Sequence, residues 1–496
     1  MKRHIVAVLA TFLACSPMEQ KPVIEDSRIM LLAGEVTHAS IILQSRFSSS
    51  DTLIDNDIPG LPASGRFQIS VDSGFAEVQT SAWLEAHSAN DFSISEKINH
   101  LSPSTRYYYR IQSLINQSTD TTYSRMGRFE TLPAPDKPKP ISFAISTGFN
   151  YEKFYGSDTG EGSASKGLAA TGKDLVLGFE AFEAVQRLNP NFFMANGDVV
   201  YYDKPGNQPE LWATDLPSMR AKWHRYFSMP RNRALCATTP VFYLKDDHDH
   251  RFNDCDTTDI ELSEPSHQLG IQVFKEQLPV TDPNNPSAVT YRTVRAGQLL
   301  QLWLVEGRDY RSPNALGDDL QKSIWGEPQK SWLKQSLLES DATFKLLVSP
   351  TPMIGPDDAY KKDNHTNIGG FQSEQQEIFS WLIDQGFLNK NFYIICGDRH
   401  WQYHSKHPNG LEEFSSGAFV NQNSRAGRLP GDPKSTDPKA TITTPYIQVG
   451  PQVGGGFLLV TVKNEDSKAS LTFSFRDTLG QERHGVTKYA PVSYTH

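Results

Sequence analysis

Short apolar runs recur through the last two thirds of the chain, and segments with helical spacing lie between them. The runs cover residues 141–145, 192–195, 241–244, 299–305, 344–348 and 392–396. The helical candidates are a segment with apolar residues at 175, 176, 179, 182, 185 and 188, and segments around 212–226, 332–338 and 378–383. Runs this short and apolar are typical of strands buried on both faces. Their alternation with helices predicts a layered α/β domain.

A different pattern precedes this region. Stretches at residues 67–71, 78–83 and 105–111 alternate roughly between apolar and polar side chains, and turn residues separate them. This spacing predicts a small antiparallel β-sandwich over residues 27–132. Four prolines within residues 133–140 cannot enter a central strand or helix, so we place a linker there and the α/β domain at 141–496. Apolar runs at 457–462 and 471–475 predict a closing hairpin that extends one sheet edge.

The first fifteen residues predict export. A basic start at Lys2 and Arg3 precedes an apolar run over 5–13, and Ala14 stands before Cys15. This segment is too short to span a bilayer. It also resembles a lipobox, in which Cys15 becomes lipidated; plain cleavage is the alternative. With residues 16–26 as a linker, we expect a periplasmic or cell-surface (outer-membrane) lipoprotein, or otherwise a secreted protein, that contacts a membrane only through the lipid.

Composition limits the classes of molecule that the chain is expected to bind. The 496 residues hold 48 Lys and Arg against 57 Asp and Glu, a formal net charge of −9, and no polybasic block. We therefore expect no nucleic-acid partner, and a monomer. In an oxidising compartment Cys236 and Cys255 would form a disulfide; the alternative is that these two and Cys396 are unpaired.

Polar side chains follow the apolar runs. The densest set is residues 244–254, which contain four aspartates, two histidines and an asparagine. The others are Ser146-Thr147-Gly148, Asn196-Gly197-Asp198, Glu306-Gly307-Arg308-Asp309 and Gly397-Asp398-Arg399-His400. Because ligands of open α/β sheets bind beyond the carboxyl ends of the strands, we expect these side chains to meet in one crevice. Gathered oxygen and imidazole donors predict a metal site there; a solvated acidic turn is the alternative interpretation of 244–254.

Four motifs together resemble the alkaline phosphatase D (PhoD) family of metallophosphoesterases. They are Gly197-Asp198-x-x-Tyr201, Asp246-Asp247-His248-Asp249 leading to Asn253-Asp254, Glu306-Gly307-Arg308-Asp309-Tyr310-Arg311, and Gly397-Asp398-Arg399-His400-Trp401. The resemblance covers about residues 27–480 and implies an α/β/β/α metallophosphoesterase-like core behind an all-β domain of the immunoglobulin or fibronectin type.

The resemblance also implies roles for individual residues. The implied metal ligands are Asp198, Tyr201, Asp398 and His400, followed by Asp247 and Asn253. His248 would assist the leaving group, and Arg308 would hold the phosphate, with Arg399 as a further substrate contact. Residues 355–367 would form either a lid that brings Lys362 or His365 to the substrate or a solvated loop.

One departure affects the metals. Family members often carry Ser-Cys after the first core strand, with the thiolate on iron, whereas this chain has Thr147-Gly148. We expect two or more metal ions, calcium with iron or another transition metal, and Gly148 leaves their identity open.

The expected function is an exported, metal-dependent phosphoesterase that hydrolyses small phosphate mono- or diesters with a metal-activated water. One alternative is a calcium-binding surface lipoprotein that has lost catalysis. The other is a phospholipase or phosphodiesterase of the same fold.

Overall fold

The computed structural model describes residues 25–115, 120–158, 169–258, 265–285, 287–466 and 468–491. The predicted export signal and Cys15 lie outside the described residues. Within them, none of the helices has the length and apolar character that crossing a bilayer requires.

The N-terminal region contains ten strands. They are β1 (Glu25–Asp26), β2 (Ile29–Gly34), β3 (Ile41–Phe47), β4 (Ala63–Ser70), β5 (Gln79–Thr80), β6 (Leu84–Ala86), β7 (Ser93–Ile98), β8 (Arg106–Ile115), β9 (Thr121–Ser124) and β10 (Gly127–Glu130). Seven of them form one sheet of their own, whereas β2, β3 and β7 belong to the sheet of the following domain. The second predicted strand, 78–83, is reduced to two residues in β5, where both side chains are exposed.

The α/β region contains the remaining strands and α-helices, which largely alternate up to residue 396 and are followed by six further strands. They are β11 (Ile141–Ser146), α1 (Tyr151–Phe154), α2 (Asp174–Leu177), α3 (Glu180–Leu188), β12 (Phe192–Asn196), α4 (Leu216–Ser228), α5 (Pro230–Thr238), β13 (Val241–Leu244), α6 (His267–Gln277), β14 (Arg292–Ala296), β15 (Leu300–Leu304), α7 (Gly326–Glu339), β16 (Phe344–Ser349), α8 (Gln372–Asp384), β17 (Phe392–Cys396), β18 (Gln402–Lys406), β19 (Glu412–Ser416), β20 (Thr443–Ile447), β21 (Gly456–Glu465), β22 (Lys468–Asp477) and β23 (Glu482–Tyr489). Each of the six predicted apolar runs coincides with a strand.

Two sheets pack face to face and helices cover their outer faces. One has the order β23-β22-β21-β11-β12-β13-β2-β3-β7, the other β14-β15-β16-β17-β19-β18-β20. Side chains alternate along each strand, so Phe143 and Leu346 enter the layer between the sheets. Ala144 instead packs with residues of α3–α6, and Leu347 packs with residues of α7 and α8. This arrangement confirms the predicted α/β/β/α fold.

The helix predicted across 175–188 is divided by Gly178. This glycine has φ +82°, and a Cβ there would lie 2.6 Å from Cβ of Met229 on the neighbouring segment. Because an L side chain is excluded on both counts, the chain turns and starts α3 in a new direction. The predicted C-terminal hairpin forms as β21 and β22, and β21 pairs with β11, so it does extend the sheet.

One residue pair continues the ladder of the core sheet into the N-terminal strands. Gly34 of β2 pairs with Val241 of β13, and a Cβ on Gly34 would lie 2.9 Å from the Val241 carbonyl oxygen. One hydrogen-bonded sheet therefore contains strands from both sides of the predicted linker. The proposed domain division rests on the sequence alone.

The predicted disulfide is wrong. Cys236, Cys255 and Cys396 are all free and buried. The Cys236 thiol lies 3.2 Å from Oδ1 of Asn232, one turn earlier on α5, whereas the Cys255 thiol donates to the Asp247 carbonyl oxygen at 3.5 Å. Each sulfur is held by its own local partner, which corresponds to the unpaired alternative.

Candidate metal centre

The loops after β11, β12, β13 and β17 open into one cleft with a volume of about 490 Å³. Parallel pairing of β11, β12 and β13 brings three of these loops to one edge, and β17 ends at the matching edge of the other sheet. The cleft is lined by eight of the residues predicted for the site, namely Asp198, Tyr201, Asp247, His248, Asn253, Asp398, Arg399 and His400.

Two aspartates enter the cleft from the same backbone geometry. Asp198 has φ 57° and Asp398 has φ 58°, both in the left-handed region that few non-glycine residues adopt. Each follows a glycine at a close approach: a Cβ on Gly197 would lie 2.5 Å from Asp246 Cβ, and one on Gly397 would lie 2.4 Å from the Asn196 oxygen. The paired Gly-Asp motifs are therefore sharp turns that aim a carboxylate past the end of a strand.

Ligand atoms of Asp198, Asp247 and His248 all lie within 4.8 Å of one another. All three residues are buried, and the outer oxygens Oδ1 of Asp198 and Asp247 have no hydrogen-bond partner among the described groups. Leaving buried carboxylate oxygens unpaired is costly, and two of them side by side also repel each other. A bound cation removes both costs, so the residues present fit a metal site.

The acidic cluster titrates unevenly. Burial, followed by the charge of Asp247, raises the pKa of Asp198 well above its usual value. Burial also acts to raise the pKa of Asp247, but the positive charges of His248, Arg308 and Lys361 outweigh it and lower that pKa well below its usual value. Asp247 is thus the carboxylate that stays ionised, whereas Asp198 needs a cation to do so.

Tyr201 and His400 complete one side of the cluster. The Tyr201 hydroxyl donates to Oδ2 of Asp198 at 3.0 Å, and His400 Nε2 lies 3.2 Å from the same oxygen. Burial, then the charge of Arg425, lowers the pKa of His400 well below its usual value, which favours the neutral imidazole that binds metals. Asn423 donates to the Tyr201 hydroxyl at 2.8 Å and was not predicted, because it lies in no recognisable motif.

His248 is oriented by a second residue that the sequence interpretation missed. Its Nδ1 lies 2.7 Å from Oδ1 of Asp203, and the other carboxylate oxygen of Asp203 accepts from the backbone of Asn253 at 3.0 Å. Burial opposes the charged imidazole, but the carboxylates of Asp203 and Asp247 outweigh it and raise the pKa of His248. Asp203 follows Tyr201 by two residues, so its position in the motif was the only available signal.

Two family models match the chain and together cover both predicted domains. The family described as "PhoD-like phosphatase" matches residues 168–466, and its N-terminal domain family matches residues 25–133. The chain belongs to the PhoD-like phosphatase family. Alkaline phosphatase D of Bacillus subtilis (strain 168) is 22% identical over 451 residues, which cover 84% of this chain and 72% of that protein.

Solved structures share the fold of this PhoD-like phosphatase. A structure of PhoD superposes with a TM-score of 0.70 at 17% identity, covering 94% of this chain and 90% of that one. Purple acid phosphatase PPD1 from yellow lupin (Lupinus luteus) seeds superposes with a TM-score of 0.60 at 12% identity, covering 92% of this chain and 73% of that one. Family membership makes the chain a phosphoric ester hydrolase.

The predicted phosphate-binding role of Arg308 is wrong for this PhoD-like phosphatase. Arg308 is 0% exposed and does not line the cleft. Its guanidinium donates to Oδ1 of Asp246 at 2.8 and 2.5 Å and to the Cys255 oxygen at 2.8 Å. Its charge pairs with Oδ1 of Asp246, whereas Oδ2 of that aspartate has no hydrogen-bond partner among the described groups.

The segment 355–367 also differs from expectation. His365 is buried beneath the segment, with Nε2 3.0 Å from Glu374 and its ring against Trp325, so its predicted substrate contact is wrong. Asn364 and Asn367 donate to Asp357 at 2.7 and 3.1 Å, which makes the segment a hydrogen-bonded part of the core instead of a solvated loop. Lys361 lines the cleft in place of Lys362 or His365.

Arg399 does reach the cleft, as predicted. It forms close ion pairs with Asp357 through Nη1 and with Asp398 through Nη2. Its planar guanidinium also lies 5.5 Å from the ring of Trp401. These contacts fix the guanidinium at the edge of the acidic cluster, where a phosphoryl oxygen would be within its reach.

Proposed function

We propose that this chain is a metal-dependent phosphoesterase that hydrolyses phosphate mono- or diesters at the Asp198–Asp247–His248 cluster. The observation that carries the proposal is the pair of buried, hydrogen-bond-deficient carboxylate oxygens on Asp198 and Asp247, beside an imidazole within 4.8 Å. Such a cluster has no evident structural use, because it costs free energy until a cation is present.

The proposed ligands are Asp198, Asp247, Asp398 and His400, with Tyr201 and Asn253 completing the set. When bound, metal ions lower the pKa of a coordinated water and neutralise charge that develops on the phosphoryl group. Gly148 offers no side chain, and the donors that remain are carboxylate, amide and phenol oxygens with imidazole nitrogens. We therefore propose calcium together with iron or another transition metal, since oxygen-rich sites suit hard cations and imidazole suits transition metals.

Residues around the cluster would protonate the leaving oxygen and bind the phosphoryl oxygens. His248 holds a proton on an imidazole that Asp203 orients at 2.7 Å, which suits it to protonate the leaving oxygen. Arg399 takes the phosphate-binding role that was expected of Arg308 and acts with Lys361, whose ammonium is held 2.6 Å from Asp254. Ion pairs hold both cationic side chains in place before the substrate binds, so binding costs little side-chain entropy.

The test is metal-dependent hydrolysis of p-nitrophenyl phosphate and bis-p-nitrophenyl phosphate by protein purified without chelators. Chelation should abolish both activities, and calcium, manganese, iron or zinc should restore them, with elemental analysis giving the metals retained. Asp247→Asn should lose at least about a hundredfold in kcat, because it removes a ligand. Asp384→Asn, at an exposed helix end, is the matched control. Metal uptake without any hydrolysis would instead support the degenerate calcium-binding alternative.

We also propose that residues 1–15 direct export and that Cys15 is lipidated, on the grounds of the basic start, the apolar run and the Leu13-Ala14-Cys15 sequence. The mass of the mature protein tests this: a diacylglyceryl adduct on an N-terminal Cys15 is expected, and Cys15→Ser should release the protein from membranes. An unmodified mature terminus elsewhere would favour plain cleavage.

A further inference from the structure

Two lysines on one wall of the cleft have no acidic partner. Lys153 on α1 and Lys204, after the Asp198 loop, both line the cleft and are partly buried. Within the part of the chain that the structure describes, neither ammonium takes part in a hydrogen bond or in an ion pair within 4.0 Å. Asp158, on this wall, accepts from the backbone of Gly206 at 3.3 Å, and its charge acts on Lys153 from beyond 4.0 Å.

The other cations of the cleft differ in this respect. Lys361 pairs with Asp254 at 2.6 Å. Arg425 and Arg428 both pair with Asp358, at 2.6 and 2.5 Å. These three cations thus have carboxylate partners at close range, whereas Lys153 and Lys204 have none within 4.0 Å among the described residues.

A buried clamp holds the two lysines together. Lys222 of α4 is 4% exposed, and its ammonium donates to Oε1 of Glu152 and to the Lys204 carbonyl oxygen, both at 2.5 Å. Glu152 directly precedes Lys153, so this one side chain ties both lysine-bearing segments to the same helix. The charges of Lys153 and Lys204 act against each other and Lys153 is also desolvated, so a ligand that supplies negative charge would bind favourably there.

The pair is close to the metal cluster and yet separate from it. The charge of Lys153 acts on His400 and that of Lys204 acts on His248 and Asp203. No hydrogen bond joins either ammonium to those side chains among the residues described, so both lysines remain available to a second group of the substrate.

We propose that Lys153 and Lys204 form a subsite for a second phosphoryl group, so that the preferred substrates are phosphoesters whose organic part carries another phosphate. This inference rests on the proposed function, because it takes the reacting phosphoryl group to lie at the metal cluster. Two ammonium groups match the charge of a phosphate dianion, and the clamp pre-organises them.

The test compares substrates that differ only by a second phosphate. For monoester cleavage these are adenosine monophosphate and adenosine 3′,5′-bisphosphate; for diester cleavage, the thymidine dinucleotide and its 5′-phosphorylated form. The metal-loaded full-length protein should show a kcat/KM about tenfold higher for the member with the second phosphate. That ratio should fall towards one in Lys153→Ala/Lys204→Ala and persist in Lys153→Arg/Lys204→Arg. Lys139→Ala, an exposed linker lysine, is the matched control.

The outcomes separate the two proposals. Hydrolysis of both members with equal efficiency, or a ratio unchanged in the double alanine variant, overturns the lysine subsite alone. An equal fall for both members would place the lysines on the reacting phosphoryl group and also overturns it. No hydrolysis of any member would remove the proposed function and this inference together.

Discussion

Asn423 donates its side-chain amide to the hydroxyl of Tyr201 at 2.8 Å, and the same nitrogen donates to the Gly148 carbonyl oxygen at 3.2 Å. A Cβ on Gly148 would lie 3.2 Å from that amide nitrogen. The amide therefore stands beside the position at which the family resemblance implies a cysteine side chain. Gly148 and the Asn423 amide belong to one local arrangement.

A cysteine at position 148 should therefore destabilise the fold. Gly148→Cys places a side chain at φ +68° and against Asn423 and Ala418, which should cost about 1–3 kcal/mol in the free energy of unfolding. Gly369→Cys is the control, since Gly369 has φ +72° with no atom within 4 Å of its Cβ position and so isolates the backbone cost.

Adding Asn423→Ala to Gly148→Cys should recover part of the loss, because it removes the crowded amide. Urea denaturation of the four proteins in the cycle measures the coupling. If the changes in unfolding free energy are strictly additive, the side chains at positions 148 and 423 do not contact each other.

Asp198→Asn should abolish turnover yet stabilise the metal-free protein. Burial and the charge of Asp247 raise the pKa of Asp198, so the neutral amide removes a repulsion that only a cation otherwise relieves. In chelator we expect a gain of about 1 kcal/mol or more in unfolding free energy, measured by thermal or urea unfolding. Added metal should stabilise the wild type and have little effect on the variant. Lower stability of the variant in chelator would contradict the proposed repulsion.

Arg308→Ala should act on stability and not on substrate affinity. Its partner Asp246 is 0% exposed, and removing one member of a buried pair leaves a bare charge, which costs about 3–5 kcal/mol. Arg106→Ala, in an exposed pair with Glu130, should cost less than about 1 kcal/mol. Chemical denaturation distinguishes them. A folded Arg308→Ala protein with normal stability and a raised KM would restore the phosphate-binding role.

Asp91 should make the free energy of unfolding fall as the pH falls below about 4. Burial acts to raise the pKa of Asp91, but the hydrogen bond and charge of His224, with Arg46 and Gln277, lower it from 3.8 to about 2. A carboxyl with a depressed folded pKa contributes stability above its unfolded value, and the contribution is lost as pH falls from about 4 towards 2.

The shift corresponds to roughly 2 kcal/mol at neutral pH. Asp91→Asn should therefore be less stable than the wild type by about that amount at pH 7, and the gap should close near pH 2. The measurement is urea unfolding across that range, with Asp384→Asn, an exposed carboxylate, as the comparison. A gap that stays constant with pH would show that the hydrogen bonds, and not the charge, carry the effect.

The sequence by itself determined the strands and the direction in which they point. Runs such as 241–244 and 392–396 are apolar at every position because the strands are buried on both faces, and this signal is local. The Gly-Asp turns at Asp198 and Asp398 were equally readable, since only glycine fits the close approach at Gly197 and Gly397. The strand ends therefore predicted about half of the cleft lining, including its aspartates and histidines.

Only the tertiary structure decided which charges are available to a ligand. Arg308 and Arg399 each stand in an equally suggestive motif and each pairs with buried aspartates, but Arg308 lies outside the cleft, against Asp246 62 residues away, whereas Arg399 lines the cleft. Asn423 reaches Tyr201 across 222 residues of sequence and carries no motif at all. Pairing between distant side chains depends on how the two sheets and their loops pack, and no pattern along the chain encodes which partner a charge will find.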